Sequence, residues 1–200
     1  HRRPDVTFHQ RPQPVRPRFE AGGGQGDPGA LESFEKAIQA GADPRYTARS
    51  RYWKAESAFA VGNFEQALTQ YAQFRASSSA ASLEEYADLD YQMGYTYFKL
   101  RDYGNAATHF QRFARSAPDG ARKTDAWMRL GDSYFVSSRY RPAIEAYDQA
   151  LATGSPERDY AAYQKAISYG FLGQEQTKRD ALDTFIGRFP NSSLKDDQLF

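Results

Sequence analysis

Three short stretches of the chain fit motifs that carry chemistry in other proteins. Gly24–Gly29 fits the dinucleotide pattern G-x-G-x-x-G, Ser192–Lys195 fits S-x-x-K, and Asn191–Ser193 fits a glycosylation acceptor. A dinucleotide loop follows a strand and opens a helix, but a Pro- and Arg-rich stretch precedes Gly24. The S-D-N and K-T-G motifs that accompany S-x-x-K are absent. We therefore interpret all three as coincidental matches, the last two in a turn.

Metal and thiol chemistry have little support in the sequence. The chain has no cysteine, and no two of its three histidines, His1, His9 and His109, have the i, i+4 spacing of a ligand pair. We expect no catalytic residues, no metal site and no cofactor. Acidic residues cluster at one predicted helix start, where carboxylates favour the helix dipole; they are Glu84, Glu85, Asp88 and Asp90.

Composition favours a helical globular body with a separate basic arm. The 200 residues are 40% hydrophobic and 15% aromatic, and Val and Ile are sparse, which argues against a sheet. No apolar run is long enough for a membrane span. Residues 1–18 carry five arginines and one aspartate, whereas the remainder has 21 basic and 24 acidic residues. An acidic body does not favour nucleic acid.

The first 29 residues differ from the rest. Residues 1–29 contain five prolines and a triple glycine, so we predict an extended arm that is in part a possible cloning remnant. Its charge, with Phe8 and Phe19 as anchors, suggests a segment that docks on a solenoid surface; a solvated tail is the alternative. The chain begins at His1, which suggests a processed or trimmed piece of a longer array.

From Leu31 onward, short amphipathic patterns predict helices joined by tight turns, which make antiparallel hairpins. The predicted helices are 31–40, 47–61, 64–76, 84–100, 103–116, 122–137, 140–152, 157–172, 175–188 and one from 193.

Small and aromatic residues recur at matched offsets in these hairpins. Gly94 and Gly131 lie 37 residues apart, and each is followed 16 residues later by an aromatic, Phe110 or Tyr147. Such a period indicates stacked repeats rather than one closed core. A small residue on the first helix lets the second helix approach closely, so these positions are structural. In the fourth unit, Lys178 replaces the expected alanine, which predicts a register shift of its second helix.

The pattern from Trp127 to Ala150 resembles the tetratricopeptide repeat, a unit of about 34 residues with two antiparallel helices. The resemblance implies an all-α solenoid forming a right-handed superhelix, with about four full repeats and partial repeats at both ends. The implied boundaries are an arm at 1–29, a partial repeat at 30–46, repeats at 47–83, 84–121, 122–156 and 157–192, and the start of another at 193–200.

In this family the first helix of each unit lines a concave groove. Carried over by position, the groove residues are Tyr52, Glu56, Phe59, Tyr91, Tyr95, Phe98, Lys99, Met128, Asp132, Phe135, Tyr163 and Phe171, with Val136, Ile167 and Gly170 beside them. Groups that grip chaperone tails use Lys and Asn here, and only Lys99 fits. An aromatic lining favours binding of a protein segment. The alternative is that these aromatic side chains pack against the neighbouring repeat unit.

The resemblance implies a non-enzymatic scaffold that binds a protein partner. The stretch Phe189–Ser192 and the Tyr-rich helices resemble bacterial cell-envelope repeat proteins of the outer-membrane assembly and Tol–Pal-associated types. This implies a periplasmic or outer-membrane-associated location, with the cytoplasm as the alternative. Two other functions remain open: a glycan-binding module, and an enzyme or regulator whose catalytic part lies outside this chain. The sequence leaves the oligomeric state undetermined.

Overall fold

The computed structural model describes residues 28–41, 43–154 and 158–194, and this part of the chain is helical throughout, with no strand. The helices are α1 (Pro28–Ala40), α2 (Pro44–Ala60), α3 (Phe64–Ala76), α4 (Leu89–Lys99), α5 (Tyr103–Ser116), α6 (Ala121–Val136), α7 (Tyr140–Ala152), α8 (Asp159–Phe171) and α9 (Glu175–Arg188). Two 3-10 turns, Ala80–Ser82 and Glu84–Asp88, precede α4.

The predicted helices from 31 to 188 are confirmed, with three corrections at their starts. α2 begins at Pro44 rather than at residue 47. α1 begins at Pro28, inside the stretch assigned to the extended arm, because proline is well tolerated in the first turn of a helix. Residues 84–88 form a 3-10 turn rather than the start of α4. The rest of the arm and the helix predicted from 193 lie mostly outside the described residues.

Helix starts follow from local side-chain capping. Asp43, Asn63 and Asp102 each accept a hydrogen bond from a backbone N–H in the first turn of α2, α3 or α5. These bonds satisfy donors that a helix start leaves without partners. Three of the helices therefore begin where the sequence places Asp or Asn before the amphipathic run.

The turn between the two helices of each hairpin has the same backbone geometry in all four units. One residue adopts a left-handed conformation, at Gly62, Arg101, Ser138 and Gly173, with φ between 58° and 83°. The next residue donates a backbone hydrogen bond to a carbonyl five positions earlier, at 2.8–3.0 Å. This is the Schellman arrangement that ends a helix.

The small residues on the first helices are the points of closest helix approach. A Cβ placed on Gly94 would lie 2.8 Å from a ring carbon of Phe110, and one on Gly131 would lie 2.6 Å from Cδ1 of Tyr147. Both rings are fully buried. The predicted structural role of these glycines is thus confirmed: the ring of the second helix occupies the space that a side chain would need.

The two helices of the fourth unit pack through different residues from those of the other units. The register shift predicted for its second helix is wrong. Lys178 keeps the position of the alanine, and its stem packs over Gly170, where a Cβ would lie 2.9 Å from Cδ. The other units place Phe59, Phe98 and Phe135 at the position of Gly170. In the fourth unit the large side chain, Lys178, is on the second helix, and the small residue, Gly170, is on the first. The space between the two helices is therefore still filled, and α9 keeps its register.

Candidate functional site

The surface formed by the first helices α2, α4, α6 and α8 contains the predicted groove residues, but half of these side chains are buried. Those that are buried are Tyr52, Tyr91, Tyr95, Met128, Asp132 and Phe135. Those that remain half-buried or exposed are Glu56, Phe59, Phe98, Lys99, Tyr163 and Phe171. The second set, with half-buried Val136 and Ile167, is what this surface offers to a partner.

Burial of the groove tyrosines has a specific cause in the third unit. Tyr91 of α4 donates a hydrogen bond to Asp125 of α6 at 2.8 Å, and Tyr95 donates to the same carboxylate oxygen. The Asp125 side chain is 2% exposed. Two tyrosines of one unit therefore close on an aspartate of the next, which leaves little ring surface for a partner.

A second buried carboxylate, Asp132, continues this network. It accepts hydrogen bonds from Tyr147 of α7 and Tyr160 of α8, both at 2.9 Å. Arg129 joins the two aspartates, at 2.6 Å to Asp132 and 3.3 Å to Asp125. The network thus links helices of the second, third and fourth units. Asp132 is fully buried, so this part of the predicted groove is a joint between repeats.

Burial and the neighbouring charges shift the pKa values of the residues in this network. Burial raises the pKa of Asp132 above its ordinary value, against the opposing effect of Arg129 and the two tyrosine hydroxyls. Burial and the Asp132 carboxylate also raise the pKa of Tyr147 and Tyr160. These hydroxyls therefore stay protonated and act as hydrogen-bond donors. Two carboxylates share one guanidinium, so the network needs Arg129 in its charged form.

The network could have been found in part from the sequence. Asp125, Arg129 and Asp132 are spaced i, i+4 and i+7, which places them on one side of α6. Their partner tyrosines belong to other helices, and no sequence spacing points to them. A simpler version of the pairing occurs in the first unit, where Tyr71 donates to Glu56.

Aromatic rings line the edge of the surface, beside the hairpin turns. Each of the first three units pairs a ring at the end of its first helix with one at the start of its second: Phe59 with Phe64, Phe98 with Tyr103, and Phe135 with Tyr140, at centroid distances of 5.1–5.3 Å. We call this set, with Phe171, the aromatic edge.

Phe171 is the last ring of the aromatic edge and belongs to the fourth unit. Its ring stacks on Tyr140 at 5.0 Å and meets Phe135 edge-on at 5.2 Å, yet it stays 40% exposed. Rings held by such contacts lose little freedom when a ligand packs on them.

The acidic stretch before α4 is an ion-pair cluster and not a helix cap. Asp88, the residue before α4, makes no side-chain capping bond and instead pairs with Arg122 at 2.5 Å. Glu85 pairs with Arg49 at 2.6 Å. Glu85 and Asp88 are thus each held by a cation from a first helix, and Asp90 is the carboxylate of this stretch that lies in the first turn of α4.

Asp90 is the most crowded member of the acidic stretch. Its carboxylate accepts hydrogen bonds from Arg75 at 2.6 Å, His109 Nδ1 at 2.7 Å and Arg112 at 3.2 Å. His109, the histidine that the sequence left without a role, also stacks on Tyr97. It belongs to this cluster, and the described residues contain no group of three or more His, Asp or Glu arranged for a metal.

The Asp90→Asn variant should make the free energy of unfolding depend less on pH below about pH 5. Burial alone would raise the pKa of Asp90, but His109, Arg75 and Arg112 hold it below its ordinary value. The carboxylate thus stabilises the fold fully above the unfolded-state pKa near 4, and this contribution is lost as pH falls through the lower folded value. We expect a loss of about 1–2 kcal/mol at pH 7 in urea unfolding. An unchanged slope of stability between about pH 5 and 3 would contradict this assignment.

Comparison with known proteins places the chain in a family. Two tetratricopeptide repeat sequence models match residues 91–160 and 160–192, which together span about half of the chain. The repeated hairpins, their shared turn geometry and the small-residue contacts agree with these matches. The chain belongs to the tetratricopeptide repeat family, whose members are generally non-catalytic scaffolds for protein interactions. No curated protein sequence matches it.

Solved structures share the fold at low sequence identity. A crystal structure of MamA matches with a TM-score of 0.68 and 18% identity, covering 86% of each chain. Kinesin light chain TPR-like repeats from Podosopora anserina match with 0.64 and 17%, covering 82% of this chain and 87% of that one. PilF of Pseudomonas aeruginosa matches with 0.57 and 15%, covering 83% and 70%. These likenesses concern the solenoid fold alone.

Proposed function

We propose that the chain is a non-enzymatic scaffold that binds a segment of a protein partner on the surface of its first helices. The observation that carries this proposal is the aromatic edge, whose Phe171 is 40% exposed although it is ordered by two ring contacts. Exposed, pre-positioned aromatic side chains are typical anchors of protein interfaces.

The buried network beneath this surface supports the same proposal. Asp125 accepts hydrogen bonds from the preceding unit and Asp132 from the following one, so these two carboxylates tie the first helices of neighbouring units together. A partner that spans several units then meets a surface that is already in its binding shape, which lowers the entropic cost of association. Within the described residues, no helix combines the length and apolar character needed to cross a bilayer.

Phe171→Ser tests the proposal against a matched control. Ile186 lies on the second helix α9 and is also 40% exposed, so Ile186→Ser removes a comparable apolar side chain away from the surface of the first helices. The wild-type chain and both variants would be coupled to resin and used for affinity capture from source cells. We expect a protein retained by the wild type and by Ile186→Ser and depleted at least about fivefold by Phe171→Ser.

Each outcome of this capture has a clear reading. Equal retention by all three chains would contradict binding through the first helices. Elution of a retained partner by oligosaccharide, with no protein dependent on Phe171, would move the assignment to a glycan-binding module. Circular dichroism of both variants must show unchanged helicity, which the exposed positions of both residues lead us to expect.

The cellular setting is a finer part of the proposal. We propose that the scaffold serves a bacterial envelope or secretion-related assembly, on the basis of the Phe189–Ser192 stretch and the Tyr-rich first helices. Fractionation of source cells that express the tagged native protein would test this. We expect recovery with the periplasm or the outer membrane, and recovery in the cytosol alone would contradict it.

A further inference from the structure

A cleft of about 520 Å³ lies between α5 and α7 and is floored by α6. Its floor is formed by Trp127, Leu130 and Tyr134, which come from one side of α6. The volume lies within the range of about 300–1,000 Å³ that ligand sites occupy. The cleft therefore has the size and the aromatic floor of a binding site, and none of its lining residues was singled out as part of the groove.

The cleft faces away from the surface of the first helices. At 3.6 residues per turn, Lys123, Trp127 and Tyr134 lie on one stripe of α6, whereas Met128, Asp132 and Phe135 lie on another, roughly 130° around the helix. The body of α6 therefore separates the two surfaces. A ligand in the cleft would leave the aromatic edge free.

The rim of the cleft is electrostatically asymmetric. α5 carries His109, Arg112 and Arg115 and has no carboxylate in its sequence. Arg112 lies outside the cleft and is held by Asp90, and Lys123, which lines the cleft, pairs with Asp119 at 3.0 Å. Arg115 is exposed and pairs with no carboxylate among the described residues. The rim thus presents an uncompensated guanidinium beside an aromatic floor.

The opposite rim, from α7, carries Glu145, with Gln149 beside it and Gln111 facing them from α5. The two amides can bond to the peptide backbone of an extended segment, and Glu145 can accept from a backbone N–H. Because Asp119 offsets Lys123, the charged lining residues that pair with no opposite charge among the described residues are Arg115 on the α5 rim and Glu145 on the α7 rim. A carboxylate of a ligand therefore complements the α5 rim, at Arg115.

We propose that this cleft is a second binding site, for a peptide segment of a partner protein that carries an acidic residue close to an aromatic or large aliphatic one. The apolar side chain packs on Trp127, and the carboxylate pairs with Arg115. The site acts independently of partner binding by the first helices. It would let one scaffold hold two partners on opposite faces.

The test begins with a displayed library of random peptides selected against the purified full chain. We expect enriched sequences in which Asp or Glu lies within a few positions of an aromatic or aliphatic residue. The best peptide is then synthesised and titrated against the Trp53→Phe variant. Trp53 and Trp127 are the two tryptophans of the chain, so this variant reports emission from Trp127 alone.

Charge reversal distinguishes this cleft from other sites. Arg115→Glu should weaken the peptide about tenfold or more, whereas Arg179→Glu on α9 makes the same charge change outside the cleft and should have little effect. Phe171→Ser should also leave binding unchanged, which separates this site from the proposed function. Both arginines are exposed, so neither change should unfold the chain.

Three results would overturn the proposal. They are selected peptides without acidic residues, peptides that bind Arg115→Glu as tightly as the wild type, and a saturating peptide that leaves Trp127 emission unchanged. Weaker binding to Phe171→Ser with full binding to Arg115→Glu would assign the selected peptides to the first-helix surface instead.

Discussion

Replacing Asp132 with alanine is expected to lower the free energy of unfolding by about 3–5 kcal/mol. Asp132 is fully buried and accepts hydrogen bonds from Tyr147 and Tyr160 while pairing with Arg129. Its loss leaves two buried hydroxyls without an acceptor and a buried guanidinium with only the longer contact to Asp125. Urea unfolding followed by circular dichroism measures the change.

Two variants control for the loss of a carboxylate. Asp183→Ala removes an exposed aspartate from α9 and should change stability by no more than about 0.5 kcal/mol. Asp132→Asn keeps an oxygen that can accept from the tyrosines, so it should cost clearly less than Asp132→Ala. If Asp132→Ala were no more destabilising than Asp183→Ala, the network would not be what holds the third and fourth units together.

Gly131→Ala is expected to lower the free energy of unfolding by about 1–3 kcal/mol, although alanine is the better helix former. The new Cβ would lie 2.6 Å from Cδ1 of Tyr147, whose ring is fully buried and whose hydroxyl is fixed by Asp132. The ring cannot move aside without losing that hydrogen bond, so α6 and α7 must separate. Thermal and urea unfolding would report the loss.

Gly187 provides the matched control for this substitution. It lies in the last turn of α9, and nothing comes within 4 Å of a Cβ built there. Gly187→Ala should therefore leave stability unchanged or raise it by at most about 0.5 kcal/mol, because the gain in helix propensity is smaller in the last turn than in the interior. Equal effects of the two Gly→Ala changes would show that close approach of Tyr147 is not the reason for Gly131.

The repeat explains why most of the fold could be predicted. A small residue and an aromatic residue 16 positions later define a helix hairpin, and Gly94 with Phe110 and Gly131 with Tyr147 pack as that pattern requires. Contacts within one hairpin join residues that are close in sequence, so a fixed sequence spacing predicts them. The start of α4 was misplaced because Glu84–Asp88 has helix-like composition but adopts a 3-10 turn.

Contacts between units were harder to predict from the sequence. Tyr91 and Tyr95 lie on α4, a first helix, but Asp125 of the next unit accepts hydrogen bonds from both hydroxyls and both rings are buried. Which groove side chains stay open depends on the rotation between neighbouring units, which periodicity does not determine. The exchange of Gly170 and Lys178 is likewise visible only when the two helices are placed together.

Site-specific photo-cross-linking would show directly whether the first helices form the partner-binding surface. A benzophenone amino acid would replace Phe171 on α8 or, in a separate chain, Ile186 on α9, and each chain would be irradiated in source cells. Both positions are 40% exposed, so solvent access does not distinguish them. We expect a discrete cross-linked partner at position 171 and none at 186. A partner cross-linked at 186 and absent at 171 would contradict it.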